Sequence, residues 1–211
     1  MGKPKPRKAK AMFSLAPVLF KDSPIEGRGV FARRAFAPGD VITPYAPKQR
    51  RLAADDPDAH AAADSKLTLL SERHWVIVPD TSVPGGWLCN HSCRPNAAVY
   101  SDGEGRIQCS RPISPGQEVT IFYGWVTQNE PTRDPCRCGA ASCRGYINFD
   151  LSDDDARHCQ DESPEGLAFR ERFQAYADYL VSIEQEQVLD TIAARLAQLR
   201  ARLQRTATSA P

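Results

Sequence analysis

Through the first two thirds of the chain, apolar residues come in short bursts. "GVFARRAF" (29–36), "DVITPY" (40–45), "HWVIVP" (74–79), "NAAVYSD" (96–102), "GRIQCSR" (105–111) and "EVTIFYG" (118–124) are each rich in Val, Ile, Tyr or Phe and bounded by Gly, Pro or Asp. That pattern predicts short strands. "AVYSDGEGRIQCSR" predicts a hairpin turning at Asp102–Gly105, and "FAPGD" and "ISPGQ" predict Pro-Gly turns. Between Ala46 and Lys66 the Ala- and Asp-rich composition reads as a partly helical insertion rather than a strand. From Ser163 onward the period changes. Phe169, Phe173, Tyr176, Leu180 and Ile183 recur at spacings of four and three, and after a phase break Leu189, Ile192, Leu196, Leu199 and Leu203 do the same. This predicts one amphipathic helix, or two, ending in the polar "TATSAP". Such a stripe either packs on its own domain or forms a coiled-coil-like surface for a homodimer or another partner.

Charge adds a second layer. "MGKPKPRKAK" holds Lys3, Lys5, Arg7, Lys8 and Lys10 and no acid, so the remainder of the chain is mildly acidic. A basic, proline-broken tail of this kind is either a solvated terminus or a contact for nucleic acid, an anionic surface or an import receptor. It lacks the apolar core of a secretory signal, and no apolar run approaches the roughly 20 residues of a membrane span. The expectation is an intracellular protein with no membrane partner. A second charge run, "DLSDDDARHCQDESPE" (150–165), reads as a solvated acidic loop, with the sharper alternative that it attracts a basic, lysine-rich peptide.

Seven cysteines, an odd number, without a secretory signal argue against a disulfide framework. Cys136, Cys138 and Cys143 form C-x-C-x4-C around a small turn, a spacing that lets three thiolates share one zinc ion. A structural zinc takes four ligands, and both Cys159 and the distant Cys93 are candidates for the fourth. Cys93 lies in "LCNHSCRPNAAVY" (88–100), where polar residues are too dense to line a core without partners. Gly27-Arg28-Gly29 offers a turn whose backbone can approach a ligand closely. Asn90 carries both donor and acceptor atoms, and His91 can orient by hydrogen bonding.

Taken in order, "GRGVFA" (27–32), "NHSCRPN" (90–96), "EVTIFYG" (118–124) and "CRCGAASCRGYI" (136–147) resemble the SET-domain protein lysine methyltransferases over about residues 17–147. The resemblance implies an α+β, mainly β fold of small curled sheets with a knot-like C-terminal threading, a post-SET zinc cluster and a C-terminal amphipathic helix. It divides the chain into a basic disordered tail (1–16), a SET domain (17–126), a post-SET zinc segment (132–148) and a helical extension (163–206). It implies S-adenosyl-L-methionine held by Arg28, Gly29, Val30, Asn90, His91 and Tyr123. It implies Zn2+ on Cys93, Cys136, Cys138 and Cys143, and catalysis by Tyr123 with Tyr45 as a second tyrosine lining the lysine channel. Glu118 takes a structural role, and Cys89 and Cys109 are small buried residues.

The implied reaction moves a methyl group from a sulfonium to a lysine amine of a protein or peptide, such as a histone tail. A lysine in water has a pKa of roughly 10.4, so a dry channel has to favour its neutral form. Two departures from the family pattern stand out. The usual Asp before the tyrosine is Phe122, and Ile121 occupies a position often held by Phe or Tyr. The rival readings are a catalytically idle SET-type module that binds lysine-bearing peptides or chromatin, and a zinc-stapled interaction module. Localisation is expected to be nuclear in a eukaryote and cytoplasmic in a bacterium.

Overall fold

A computed structural model describes residues 13–15, 17–53, 56, 58, 68–69, 75–100, 105–124, 134–147, 151–182 and 186–208. Thirteen strands are seen among the described residues: β1 (Phe13–Leu15), β2 (Val18–Asp22), β3 (Arg28–Ala32), β4 (Val41–Pro44), β5 (Gln49–Ala53), β6 (Thr68–Leu69), β7 (Trp75–Pro79), β8 (Asn90–His91), β9 (Ala97–Tyr100), β10 (Arg106–Cys109), β11 (Glu118–Ile121), β12 (Asp134–Pro135) and β13 (Tyr146–Ile147). Three helices follow: α1 (Asp153–His158), α2 (Pro164–Ser182) and α3 (Gln187–Thr208).

The strands form several small sheets, in the orders β1-β2-β3-β11-β8, β4-β10-β9, β5-β7-β6 and β12-β13. Alternation sets their faces. In β10, Ile107 and Cys109 point inward while Arg106 and Gln108 are half-buried, as a period of two requires. The inward residues of several sheets, among them Val18, Phe20, Val30, Ile42, Ile77, Ile107 and Val119, make one core. Helices α1, α2 and α3 build a second core of Leu151, Ala156, Phe169, Ile192 and Leu199, joined by Phe122 from the end of β11.

The feature that positions the site is β11. It pairs antiparallel with β3 and parallel with the two-residue strand β8. Beyond β8 the chain stays fastened to it: Ser92 N–H donates to Ile121 O at 2.9 Å and Thr120 N–H donates to Asn96 Oδ1 at 2.8 Å. Segment 118–123 therefore runs between β3 and the 90–96 loop, hydrogen-bonded to both, which is the threading the resemblance implies.

The structure changes three expectations and decides between two alternatives in a fourth. Residues 13–15, assigned to a disordered tail, pair with β2, while the basic residues before them lie outside the described part. Residues 49–53, read as part of a helical insertion, form β5 as an edge strand paired with β7; most of the remaining insertion lies outside the described residues. The acidic run is not a plain solvated loop. Its Ser152 and Asp155 form a reciprocal cap that starts α1, so the helical extension begins ten residues earlier than the periodicity predicts. The apolar stripes of α2 and α3 pack on their own chain, with Leu180, Ile192 and Leu199 buried, so those positions are closed to a homodimer. The predicted hairpin forms as β9 pairs with β10, and its turn at 101–104 lies outside the described residues.

Candidate active site and thiolate cluster

The Asn90-His91 pair faces inward on β8, and both side chains are buried. The Asn90 amide nitrogen donates to Glu26 O at 3.1 Å, to Arg28 O at 3.3 Å and to Glu118 Oε1 at 2.9 Å. Asn90 thus bolts the Gly27 turn to β8, and its ligand contacts fall to Oδ1 or the backbone. Glu118 also accepts from Ser23 Oγ at 2.8 Å. Gly29 permits this approach, since a Cβ there would collide with Glu118 Oε1. A Cβ on Gly27 would meet no atom within 4 Å, so the turn borders open space beside Asn90. Arg28 flanks that space, and its guanidinium donates to Phe20 O at 3.4 Å. Val30 lies mid-strand between β2 and β11 with its side chain fully in the core, so its backbone is the part that could meet a ligand.

His91 connects two halves of the site. Its Nδ1 accepts from the Tyr123 N–H at 3.2 Å, and its Nε2 lies 3.5 Å from Cys93 Sγ. Burial pushes the imidazole down to about 4; the Cys138 thiolate pulls the other way and the Arg172 cation adds to the drop. A neutral ring that accepts at Nδ1 carries its proton on Nε2, so Nε2–H points at the Cys93 sulphur. Both ring nitrogens are engaged within the protein, which leaves the His91 backbone as the part able to meet a ligand.

Tyr123 is 40% exposed, yet its hydroxyl donates to Cys89 O at 2.9 Å. Its pKa is raised, first by burial and then by Cys89 and Tyr45, so the phenol stays neutral. With its proton directed to the carbonyl, the oxygen presents lone pairs to whatever occupies the space above it. Tyr45 sits buried at the end of β4, with its N–H on Gly105 O at 3.0 Å, and is close enough to act electrostatically on Tyr123.

The sulphurs of Cys93, Cys136, Cys138 and Cys143 all lie within 4.8 Å of one another. Cys93 Sγ is 3.9 Å from Cys136 Sγ and 4.0 Å from Cys143 Sγ. A tetrahedron with Zn–S bonds of about 2.3 Å has edges of about 3.8 Å, so the donor set fits one zinc ion. Backbone N–H groups already face the sulphurs: Cys93 N–H toward Cys138 Sγ at 3.5 Å, Arg144 N–H toward Cys93 Sγ at 3.5 Å and Gly145 N–H toward Cys143 Sγ at 3.4 Å. The Cys93 thiol hydrogen bond draws Cys138 down to about 3, while burial pushes Cys136 up to about 12. Four thiols forced together cannot all ionise unaided, and a divalent cation resolves this by taking all four as thiolates. Cys159 is not the fourth ligand. It follows α1 and its thiol meets Ala156 O at 3.7 Å.

Spacing alone does not reveal what surrounds this cluster. Arg172 of α2 is buried and reaches Cys93 O and Asp155. Tyr176, one turn on, packs edge-on against Phe122 with centroids 5.9 Å apart. A signal for Arg172 exists in the sequence: it falls on the apolar stripe, three residues after Phe169 and four before Tyr176.

A parallel strand pair fastened to a Cys-bearing loop, with a tyrosine at its end, frames the site. Residues 27–124 match the SET domain family. Curated relatives agree. The chain is 30% identical over 139 residues to the H3 lysine-4-specific histone-lysine N-methyltransferase of Cryptococcus neoformans var. neoformans serotype D, covering 61% of this chain and 10% of that protein. It is 32% identical over 142 residues to histone-lysine N-methyltransferase set-2 of Caenorhabditis elegans, covering 62% and 9%. It is 32% identical over 139 residues to histone-lysine N-methyltransferase TRX1 of Oryza sativa subsp. japonica, covering 61% and 13%. The chain spans about a tenth of the length of these relatives. No described helix is long and apolar enough to cross a membrane.

Proposed function

We propose that this protein is an S-adenosyl-L-methionine-dependent protein-lysine N-methyltransferase, with a histone tail or another lysine-rich segment as its substrate and Zn2+ on the Cys93–Cys136–Cys138–Cys143 cluster. One observation carries the reading. The neutral Tyr123 hydroxyl is anchored on Cys89 O, and its N–H on His91, whose other ring nitrogen lies against Cys93 of the thiolate cluster. The activity for which the matched relatives are named supports it.

Bound at the Gly27–Asn90 edge, S-adenosyl-L-methionine would supply an electrophilic methyl group on a sulfonium. Arg28, Gly29 and the backbone of Asn90 and His91 form the edge that would hold it. Tyr123 does the orienting work. Its hydroxyl proton is fixed on Cys89 O, so its oxygen accepts an N–H of the incoming lysine and turns the nitrogen lone pair toward the methyl group. A phenol that stays neutral adds no negative charge that would hold the amine as ammonium. Around Tyr123 the side chains of Tyr45, Ile121 and Phe122 are buried, with the Phe122 ring centroid 5.4 Å from that of His91. Cys93, Cys136, Cys138 and Cys143 would hold a zinc ion, which would fasten the segment bearing Cys136–Cys143 to Cys93. In a eukaryotic cell such a protein acts in the nucleus.

Tyr123→Phe removes the orienting oxygen and leaves the ring. Radiolabelled donor with a histone-tail peptide array should show kcat lower by on the order of 10²-fold with donor binding retained. Equal transfer by parent and variant would exclude Tyr123 from the reaction. Parent protein that binds the donor but modifies neither array nor lysate would favour the idle, peptide-binding module.

A further inference from the structure

We propose that Arg172, on α2 and outside the SET domain, is a positioning residue that sets the thiolate cluster against the His91–Tyr123 pair. The Arg172 side chain is 2% exposed. One nitrogen, Nη1, donates to Cys93 O at 3.3 Å, and the other, Nη2, donates to Asp155 Oδ1 at 3.0 Å. The Asp155 side chain is 1% exposed and is held in place by the Ser152 N–H and Oγ, each at 3.0 Å. Arg144 reaches the same carboxylate at 3.5 Å, while its own backbone N–H faces Cys93 Sγ at 3.5 Å. The contacts close a circuit: Cys93 carbonyl, Arg172, Asp155, Arg144, Cys93 sulphur.

Four thiolates can hold a zinc ion without any arginine, so ligation does not explain the circuit. What it adds is orientation. The circuit pins the cluster's two distant parts together, Cys93 from the SET motif and Arg144 next to Cys143. It also fixes the 91–93 backbone from which the His91 ring reaches the Tyr123 N–H. Charge points the same way. A zinc ion on four thiolates carries a net charge of −2, and a buried guanidinium within Coulombic reach of Cys93 offsets part of it. Two surface contacts brace the same loop, as Arg94 donates to Glu171 of α2 at 2.8 Å and Arg111 donates to Pro95 O at 2.8 Å.

The bland alternative is an ion pair that only holds the fold. Replacing such a pair with apolar residues of similar volume is often neutral or stabilising, whereas removing one partner strands a buried charge. The test therefore uses Arg172→Met, Arg172→Met/Asp155→Leu and Arg172→Lys in the full chain, loaded with zinc or with cobalt(II). Expected is a destabilised single Met variant and a double variant that regains most of the lost thermal midpoint, short of the parent by the helix cap and the Arg144 contact that Asp155 also makes. Despite that recovery, the double variant should release zinc to a chromogenic chelator about tenfold faster, show shifted cobalt ligand-field bands and keep a lowered kcat at unchanged donor KM. Arg172→Lys keeps the charge and loses the two-pronged fork; it should fold and release zinc at an intermediate rate. Parental metal release and cobalt spectra in any folded variant overturn the proposal, as does a parent chain that binds no zinc. The kinetic readout alone rests on the methyltransferase reading. A parent that transfers no methyl group sinks that reading, while the metal readouts still decide the role of Arg172.

Discussion

The sheet core and the helical core follow different rules, and Phe122 is where a residue of the site's own strand segment enters the helical core. The sheet core gathers inward residues from segments scattered between Val18 and Ile121, and no single strand could bury its face alone. The helical core is local in sequence, built by three adjacent helices from Leu151 to Leu203. Phe122 crosses over: it leaves β11 at the mouth of the site and packs into the helices against Tyr176. This accounts for one departure from the family pattern. A carboxylate at position 122 needs water or a partner, and here the helices cover the position. The acid that helices α1 and α2 do bury, Asp155, has Arg172 for a partner.

Phe122→Asp attacks that crossing directly and should have the largest effect. It exchanges a buried ring for a buried carboxylate and should cost several kcal/mol, about 3–5. That is a fall in Tm of roughly 10 °C for a chain of this size. A midpoint within two or so degrees of the parent by scanning calorimetry would mean that the two cores do not lean on each other. Ile192→Ala deletes a fully buried side chain from the helical core alone and should cost about 2–4 kcal/mol. Amide exchange should then quicken in α1–α3 before it quickens in β2, β3 and β11. Equal quickening throughout would make the two cores one cooperative unit. Ser152→Ala removes the α1 cap and should cost about 1 kcal/mol, read as a Tm lower by roughly 2–4 °C. An unchanged midpoint would mean that Asp155 alone keeps the helix start in place.

The strands that flank the site were legible because each carries a short β-branched or aromatic run between turn residues; β9, β10 and β11 lie inside runs the pattern predicts, and β3 overlaps one from Gly29 on. The cysteine set was legible through the C-x-C-x4-C spacing, with Cys93 reached through resemblance and placed by geometry. Strand β5 was not legible, since "QRRLA" sits on an edge whose pairing with β7 owes more to the partner than to its own propensity. Parallel pairing of β8 with β11 also escapes sequence patterns, because a two-residue strand has no period. The acidic run misled through composition. Four aspartates in six positions look solvated, yet Ser152-x-x-Asp155 is a capping box readable in the sequence. The burial of the Val30 side chain was legible, since a β-branched residue between two paired strands belongs to the core.

Gly124 follows the tyrosine with φ +99, and a Cβ there would stand 3.0 Å from the Tyr176 ring. The backbone just past the reactive hydroxyl is therefore seated against a helix made some fifty residues later in synthesis. A nascent chain that has emerged only as far as the cysteine cluster carries Asn90, His91 and Tyr123, but not the surface on which the backbone beside them rests. The arrangement around Tyr123 would then settle only once the helix bearing Tyr176 has been made.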